Sequence, residues 1–235
     1  MPKKPVIVLG LLTLALVMLV AAASSAQEIV EIGNEYIRIV VNGGELNGGR
    51  FSVGTTGGDP GRDNDDHKAL IYGGDDPWTS YTTVKVDNQN WIYGNPTDRR
   101  AGFDGLYGEM VQPPTIVDGK IESSWKLGPI QVWQVLSITR SSTTGLMDTA
   151  QIEYHVENTD TEAHMVGLRL MLDTMLGTND GAPFRVEDRA LTTDTVYYSQ
   201  NMPEFWQAFD SLSDPKVMAQ GTLRKPGITP PDRVY

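Results

Sequence analysis

The sequence predicts an all-β chain folded as a twisted antiparallel β-sandwich, and three observations lead there. Apolar and polar residues alternate with period two through much of the body. Clusters of Gly, Asn, Asp and Pro interrupt these runs at short intervals. No long stretch keeps the helical spacing of apolar residues. Many short strands joined by such loops favour a sandwich over an α/β layering, and no repeat of solenoid length is visible.

The chain opens with a leader. Lys3 and Lys4 precede an apolar run from Val6 to Val20, and the segment from Ala21 to Ala26 is built of small residues. A basic, then apolar, then small-residue order is that of a secretory signal peptide. Residues 1–26 are read as the leader, cleaved after Ala26, with cleavage after Ala23 as the nearest alternative. An uncleaved anchor competes, because the apolar run extended through Ala23 reaches the lower edge of spanning length. A membrane partner enters only if the leader stays. On either reading the body lies outside the cytoplasm: extracellular, periplasmic or at the cell surface.

Residues 27–235 read as one domain. Strands are expected at Ile29 to Ile32, Tyr36 to Val41, Arg50 to Val53, Tyr81 to Val86 and Asn90 to Tyr93, the last two joined by a polar turn at Asp87 to Asn90. From Ile130 to Thr139, Ile130, Val132, Leu136 and Ile138 share a face interrupted by Gln134. Ala150, Ile152, Tyr154 and Val156 repeat the pattern after a polar turn at Ser141 to Gly145. His164 to Asp173 is apolar on both faces, with Val166, Leu168, Leu170 and Leu172 opposite Met165, Arg169 and Met171, which predicts a central strand. Further strands are expected at Thr195 to Ser199 and Val217 to Leu223. A short helix is expected at Pro203 to Leu212, where Phe205, Trp206, Phe209 and Leu212 fall at helical spacing. Gly227 to Asp232 reads as a loop into a strand that starts at Arg233, so the chain reads as incomplete at its C-terminus, with an exposed edge.

Composition narrows the function classes. The chain has 235 residues, no cysteine and a formal charge of −11, or −13 without Lys3 and Lys4. An acidic surface repels nucleic acid and anionic lipid, while neutral partners such as sugars, and divalent cations, stay open. The lack of cysteine removes thiolate chemistry, thiolate metal sites and a lipidated N-terminal cysteine.

Several segments are candidates for chemistry. Trp78, Tyr81, Trp91, Tyr93 and Tyr107 fall in or beside loops, where flat rings can stack on sugars; Trp125, Trp133 and Trp206 look like core. Arg169, on a strand read as buried, needs an anion: Asp173 shares its face, and Asp180 or Glu187 are alternatives. Asp173, Asn179 and Asp180, with Asp188 nearby, offer oxygens suited to Ca²⁺, although Asn-Asp-Gly is also an ordinary turn. Asp59, Asp63 and Asp65 alternate similarly in a second loop, without the glycine and distal glutamate of the helix-loop-helix calcium site. Asp104 with Glu109 is a nonspecific pair of carboxylates. No nucleophile elbow, phosphate loop, zinc-binding His pair or serine triad pattern is present.

The stretch Val166 to Phe184, together with Pro77 to Tyr81 and Phe209 to Leu212, is similar to exported bacterial proteins whose domain resembles the galactose mutarotase-like β-supersandwich. The similarity runs from about Ile29 to the end. It implies a large twisted sandwich with carbohydrate-facing relatives. Mutarotase chemistry pairs a histidine acid with a carboxylate base, and His67, His155 and His164 do not map onto that motif. The expected function is therefore an exported, non-catalytic β-sandwich module that binds carbohydrate or envelope components. The alternative is a carbohydrate-active enzyme, epimerase or polysaccharide lyase-like, using His67 or His155 with an acidic partner.

Overall fold

The computed structural model describes residues 29–226 and 229–235, so the leader and part of the loop before Arg233 lie outside the described residues. The described chain is all-β. In order the strands are β1 (Ile29–Gly33), β2 (Ile37–Asn42), β3 (Phe51–Thr55), β4 (Tyr81–Val86), β5 (Gln89–Ile92) and β6 (Leu106–Tyr107). Then come β7 (Glu109–Val117), β8 (Lys120–Leu127), β9 (Ile130–Thr139), β10 (Thr149–Asn158) and β11 (Val166–Met171). The remainder are β12 (Phe184–Val186), β13 (Arg189–Ala190), β14 (Tyr197–Tyr198), β15 (Phe205–Phe209), β16 (Met218–Thr222) and β17 (Arg233–Val234). Among the described residues the only helix is one 3₁₀ turn, Ser199–Asn201.

The strands group into small sheets ordered β1-β2-β3, β10-β9-β8-β7, β11-β4-β5-β6 and β13-β12-β15-β16, with a β14-β17 pair apart from them. Among the described residues the strand pairings are antiparallel except β5 with β6. The four larger sheets sit more like blades of a small propeller than like two continuous layers. Their contacts follow from alternation. Ile121 and Leu136, at one end of the β8–β9 face, pack with Val30, Ile39, Val41, Phe51 and Val53 of the first sheet. Trp125, Leu127, Ile130 and Val132, at the other end, pack with Val84, Val86 and Tyr93. One face of β7–β10 thus covers two neighbouring sheets, and each large side chain fully buried there contributes about 1.5–3 kcal/mol of hydrophobic stabilisation.

Two expectations are corrected. The segment Pro203 to Leu212 is not a helix: β15 pairs with β12 on one side and β16 on the other. Phe205 and Phe209 fall on one face of this strand and Trp206 and Ala208 on the other, so the apolar residues do not alternate, and pairing on both edges decides for a strand. Second, β11 is not a central strand. It ends its sheet, pairs with β4 alone, and Leu168 is 48% exposed. Arg169 is therefore exposed, bonded weakly to Thr83 at 3.5 Å, with no ion pair to Asp173, Asp180 or Glu187.

Candidate functional site

The least expected group in the molecule is Arg50, which follows the β2–β3 turn and is completely buried. Its Nη1 donates to the Trp78 carbonyl at 2.8 Å and its Nη2 to the Tyr107 hydroxyl at 3.0 Å. The guanidinium lies over the Tyr81 ring, 5.1 Å from its centroid. No carboxylate pairs with it among the described residues, and Nε is buried without a partner. Burial lowers the Arg50 pKa, a pull opposed by Tyr107 and Tyr81, yet a guanidinium stays charged in proteins. Burial likewise raises the Tyr107 hydroxyl, while Arg50 pulls it down.

The local backbone makes this enclosure. Tyr107 donates in turn to the Gly102 carbonyl at 2.7 Å. Gly102 has φ +96°, and a Cβ there would stand 2.8 Å from the Tyr107 hydroxyl and 3.0 Å from Arg50 Nη2. Only glycine lets that loop close over the guanidinium. One cation thus ties the Trp78 backbone and Tyr81, from one segment, to Tyr107 from another, in a single cluster.

The rim of the cluster is polar. Arg99 stacks 5.2 Å from the Trp78 ring centroid and donates to Asp76 at 2.8 Å. Asn42 donates to the other Asp76 oxygen at 3.2 Å. Tyr72 meets Trp78 edge-on at 6.0 Å. Half-buried rings beside a guanidinium and a carboxylate suit stacking on the C–H face of a sugar, with hydroxyls bonded at the edge. No histidine belongs to this group.

The other sequence-predicted residues lie elsewhere. Tyr93 is 1% exposed, so its ring offers no face to a ligand. It sits 4.7 Å from Trp125 and donates to the Ser123 carbonyl at 2.9 Å, and burial pushes its hydroxyl well above the ordinary tyrosine value. Trp91 is half-buried against the same core. Trp125 is core as expected, Trp206 is partly buried beside Leu176 and Ala208, and Trp133 is half-buried on the opposite face of β9.

Asp173 donates its backbone N–H to Ser80 at 3.0 Å. Asn179 uses Oδ1 to accept the Gly181 N–H at 3.0 Å and Nδ2 to hold the Asp210 carbonyl at 2.8 Å, which is turn architecture. Asp180 is exposed. Among the described residues no three His, Asp or Glu side chains gather to share a cation. In the second acidic loop, buried Asp65 accepts the Asp59 N–H at 2.9 Å.

His155 is exposed, 3.9 Å from Glu153. His67 lines a cleft of about 260 Å³ with Arg38, Lys68 and Gly74. Asp104 and Glu109 are both exposed. Arg50 itself was missed by sequence reasoning, because it alternates with Phe51 and Val53 and so takes the parity of Ser52, away from the core face of the first sheet; its place directly after Gly48 and Gly49 is the one local feature that sets it apart. Comparison with family models, with curated proteins and with solved structures finds no match for this chain.

Proposed function

We propose that this protein is an exported, non-catalytic β module that binds carbohydrate or another envelope component through the Trp78, Tyr81 and Tyr107 cluster. The observation that carries this reading is the enclosed Arg50, which holds three aromatic residues together with no counter-charge among the described residues. Burying such a charge is costly, and an arrangement maintained at that cost fits a preorganised binding surface. Arg99 and Asp76 on the rim supply a donor and an acceptor for hydroxyls.

The finer architecture belongs to the same reading. A twisted sandwich of the supersandwich kind is supported by the way one face of β7–β10 spans two facing sheets. Export rests on the order of residues in the leader.

Titration with a panel of neutral and acidic polysaccharides, read by tryptophan fluorescence and by thermal midpoint, tests the proposal. A saturable fluorescence change with one polymer, accompanied by a higher midpoint, is the expected result. No response from a cooperatively folded sample across the whole panel would reject carbohydrate as the ligand.

A further inference from the structure

Strands β10 and β11 are both end strands of their sheets. They flank the same side of the molecule: the Tyr154 hydroxyl on β10 bonds Thr82 Oγ1, and Thr82 is the cross-strand partner of Leu170 on β11. Val166, Leu168 and Leu170 project on the face of Val86, Val84 and Thr82, which is the core face. Val84 is fully buried, yet Leu168 opposite it is 48% exposed, and Val166 and Leu170 are each 40% exposed. On β10, Val156 shares the inward face of Tyr154 and is 41% exposed. Among the described residues nothing fills the mouth between these edges, and each edge keeps a row of unpaired backbone groups, a template for another strand.

The outward faces say which strand fits. On β10 they carry Glu153 and Glu157 with His155 between them, 3.9 Å from Glu153; on β11 they carry Arg169, with Lys85 diagonal to it one strand further in, on β4. Neither Arg169 nor Lys85 forms a salt bridge among the described residues. We infer that a second copy of this chain occupies the mouth, with β10 of each copy added to β11 of the other.

The direction of the strands permits this pairing. Residues 159–165 join the end of β10 to the start of β11. Tyr154, four residues before that end, meets Thr82, opposite Leu170, four residues after that start. The two strands therefore run in opposite directions. A two-fold axis parallel to them, through the mouth, sets β10 of each copy antiparallel beside β11 of its mate and extends the sheets at two joins. Acidic and basic edges meet at both. The perpendicular two-fold would set β10 against β10 and oppose Glu153 and Glu157 to their own copies, which like-charge repulsion disfavours. In the favoured pair the inward valines and leucines of both mouths cover one another.

Sedimentation velocity on the protein from Gln27 onward, which contains every described residue, tests the pairing. The parent protein should be a dimer at micromolar concentration. One variant carries Glu153→Lys and Glu157→Lys; another carries Lys85→Glu and Arg169→Glu. These side chains are at least partly exposed, so each variant should keep the parental circular dichroism and melting point. Each alone should sediment as a monomer, and an equimolar mixture should recover the dimer, because opposite charges again face each other at both joins. A monomeric parent, variants that dimerise as strongly as the parent, or a mixture that stays monomeric would each overturn the inference.

Discussion

Replacing Arg50 with methionine should change the unfolding free energy by less than about 2 kcal/mol, in either direction. The guanidinium makes two bonds, to the Trp78 carbonyl at 2.8 Å and the Tyr107 hydroxyl at 3.0 Å; with a charged donor each is worth about 1.5–3 kcal/mol. Its position over Tyr81 adds about 1–2 kcal/mol. Against these stands the cost of keeping an ion from water, on the order of several kcal/mol after relaxation. Among the described residues no carboxylate offsets that cost. Methionine keeps much of the volume, and its sulfur suits the surrounding rings. It leaves the Trp78 carbonyl without this donor, a loss of about 1–3 kcal/mol, while Tyr107 still donates to Gly102 at 2.7 Å. The opposing effects nearly cancel. Arg50→Ala differs, because it also opens a cavity, and truncating a large buried side chain costs about 2–5 kcal/mol. Urea unfolding followed by tryptophan fluorescence reads both variants as midpoint shifts at constant slope. A loss above about 4 kcal/mol for methionine would refute the reasoning, because that is the scale expected when one partner of a buried ion pair is removed.

The remaining predictions probe the core, the loop over Arg50, the ring platform and the β10–β11 connection. Trp125 is fully buried and donates to Asn95 at 3.0 Å, so Trp125→Ala should cost about 3–5 kcal/mol and Trp125→Phe about 1–3 kcal/mol, measured by calorimetry. Gly102→Ala should cost about 1–2 kcal/mol from its left-handed backbone alone, and more as the new methyl crowds Arg50 and Tyr107; a melting midpoint equal to the parent's would contradict that geometry. Trp78→Ala should weaken polysaccharide binding about 10-fold or more, on the scale of a lost stacking contact, with the melting point nearly kept; undiminished binding by calorimetric titration would move the site elsewhere. His164 contacts Asp87 at 2.7 Å and Asp160 at 3.6 Å. The hydrogen bond to Asp87 raises the histidine pKa above 6.5. The bond from His164 lowers Asp87 below 3.8, and backbone N–H groups of Glu162 and Thr161 lower Asp160 below it. The histidine contribution is complete below pH 6.5 and fades as pH rises through the raised value; the carboxylate contributions are complete above pH 3.8 and fade as pH falls through the lowered values. The 159–165 connection should therefore be most protected between those limits, and a hydrogen-exchange profile for Met165 that rises monotonically with stability outside that window would exclude the clasp.

Alternation made most strands legible, and its failures have separate physical causes. The β9–β10 pair follows the sequence pattern in register, Ile152 opposite Leu136 and Tyr154 opposite Gln134. The β7–β8 hairpin was missed because Pro113 and Pro114 argue against a strand; β7 tolerates them as an edge strand with register shifts around Gln112. The signal was present four residues later, since Asp118 and Gly119 turn the chain with φ of +49° and +76°, the signature of a tight hairpin. At the site, Trp78 and Tyr81 could be nominated because loop aromatics stand out. Tyr93 could not be told from them by type, but its parity could have decided: its N–H bonds the Thr82 carbonyl at 2.9 Å, which continues the β4–β5 ladder and turns the ring inward like Val84.

The misreading of β11 is of a different kind. Val166, Leu168 and Leu170 show the same alternation that buries Ile130, Val132 and Leu136 completely or nearly so. Residue pattern specifies that a face is to be covered; it does not specify by what. For β9 the cover is the rest of this chain, whereas for β11 the facing sheet stops at β10. In the two-fold pair inferred above, those residues gain the cover their alternation implies, and β11 becomes an inner strand of a sheet shared by two copies. The central-strand reading then describes the assembly and the exposed edge describes the single chain. Burial of Leu168 on association therefore makes Leu168→Lys far more damaging to the dimer than to the fold, a separation that sedimentation and thermal melting can measure side by side.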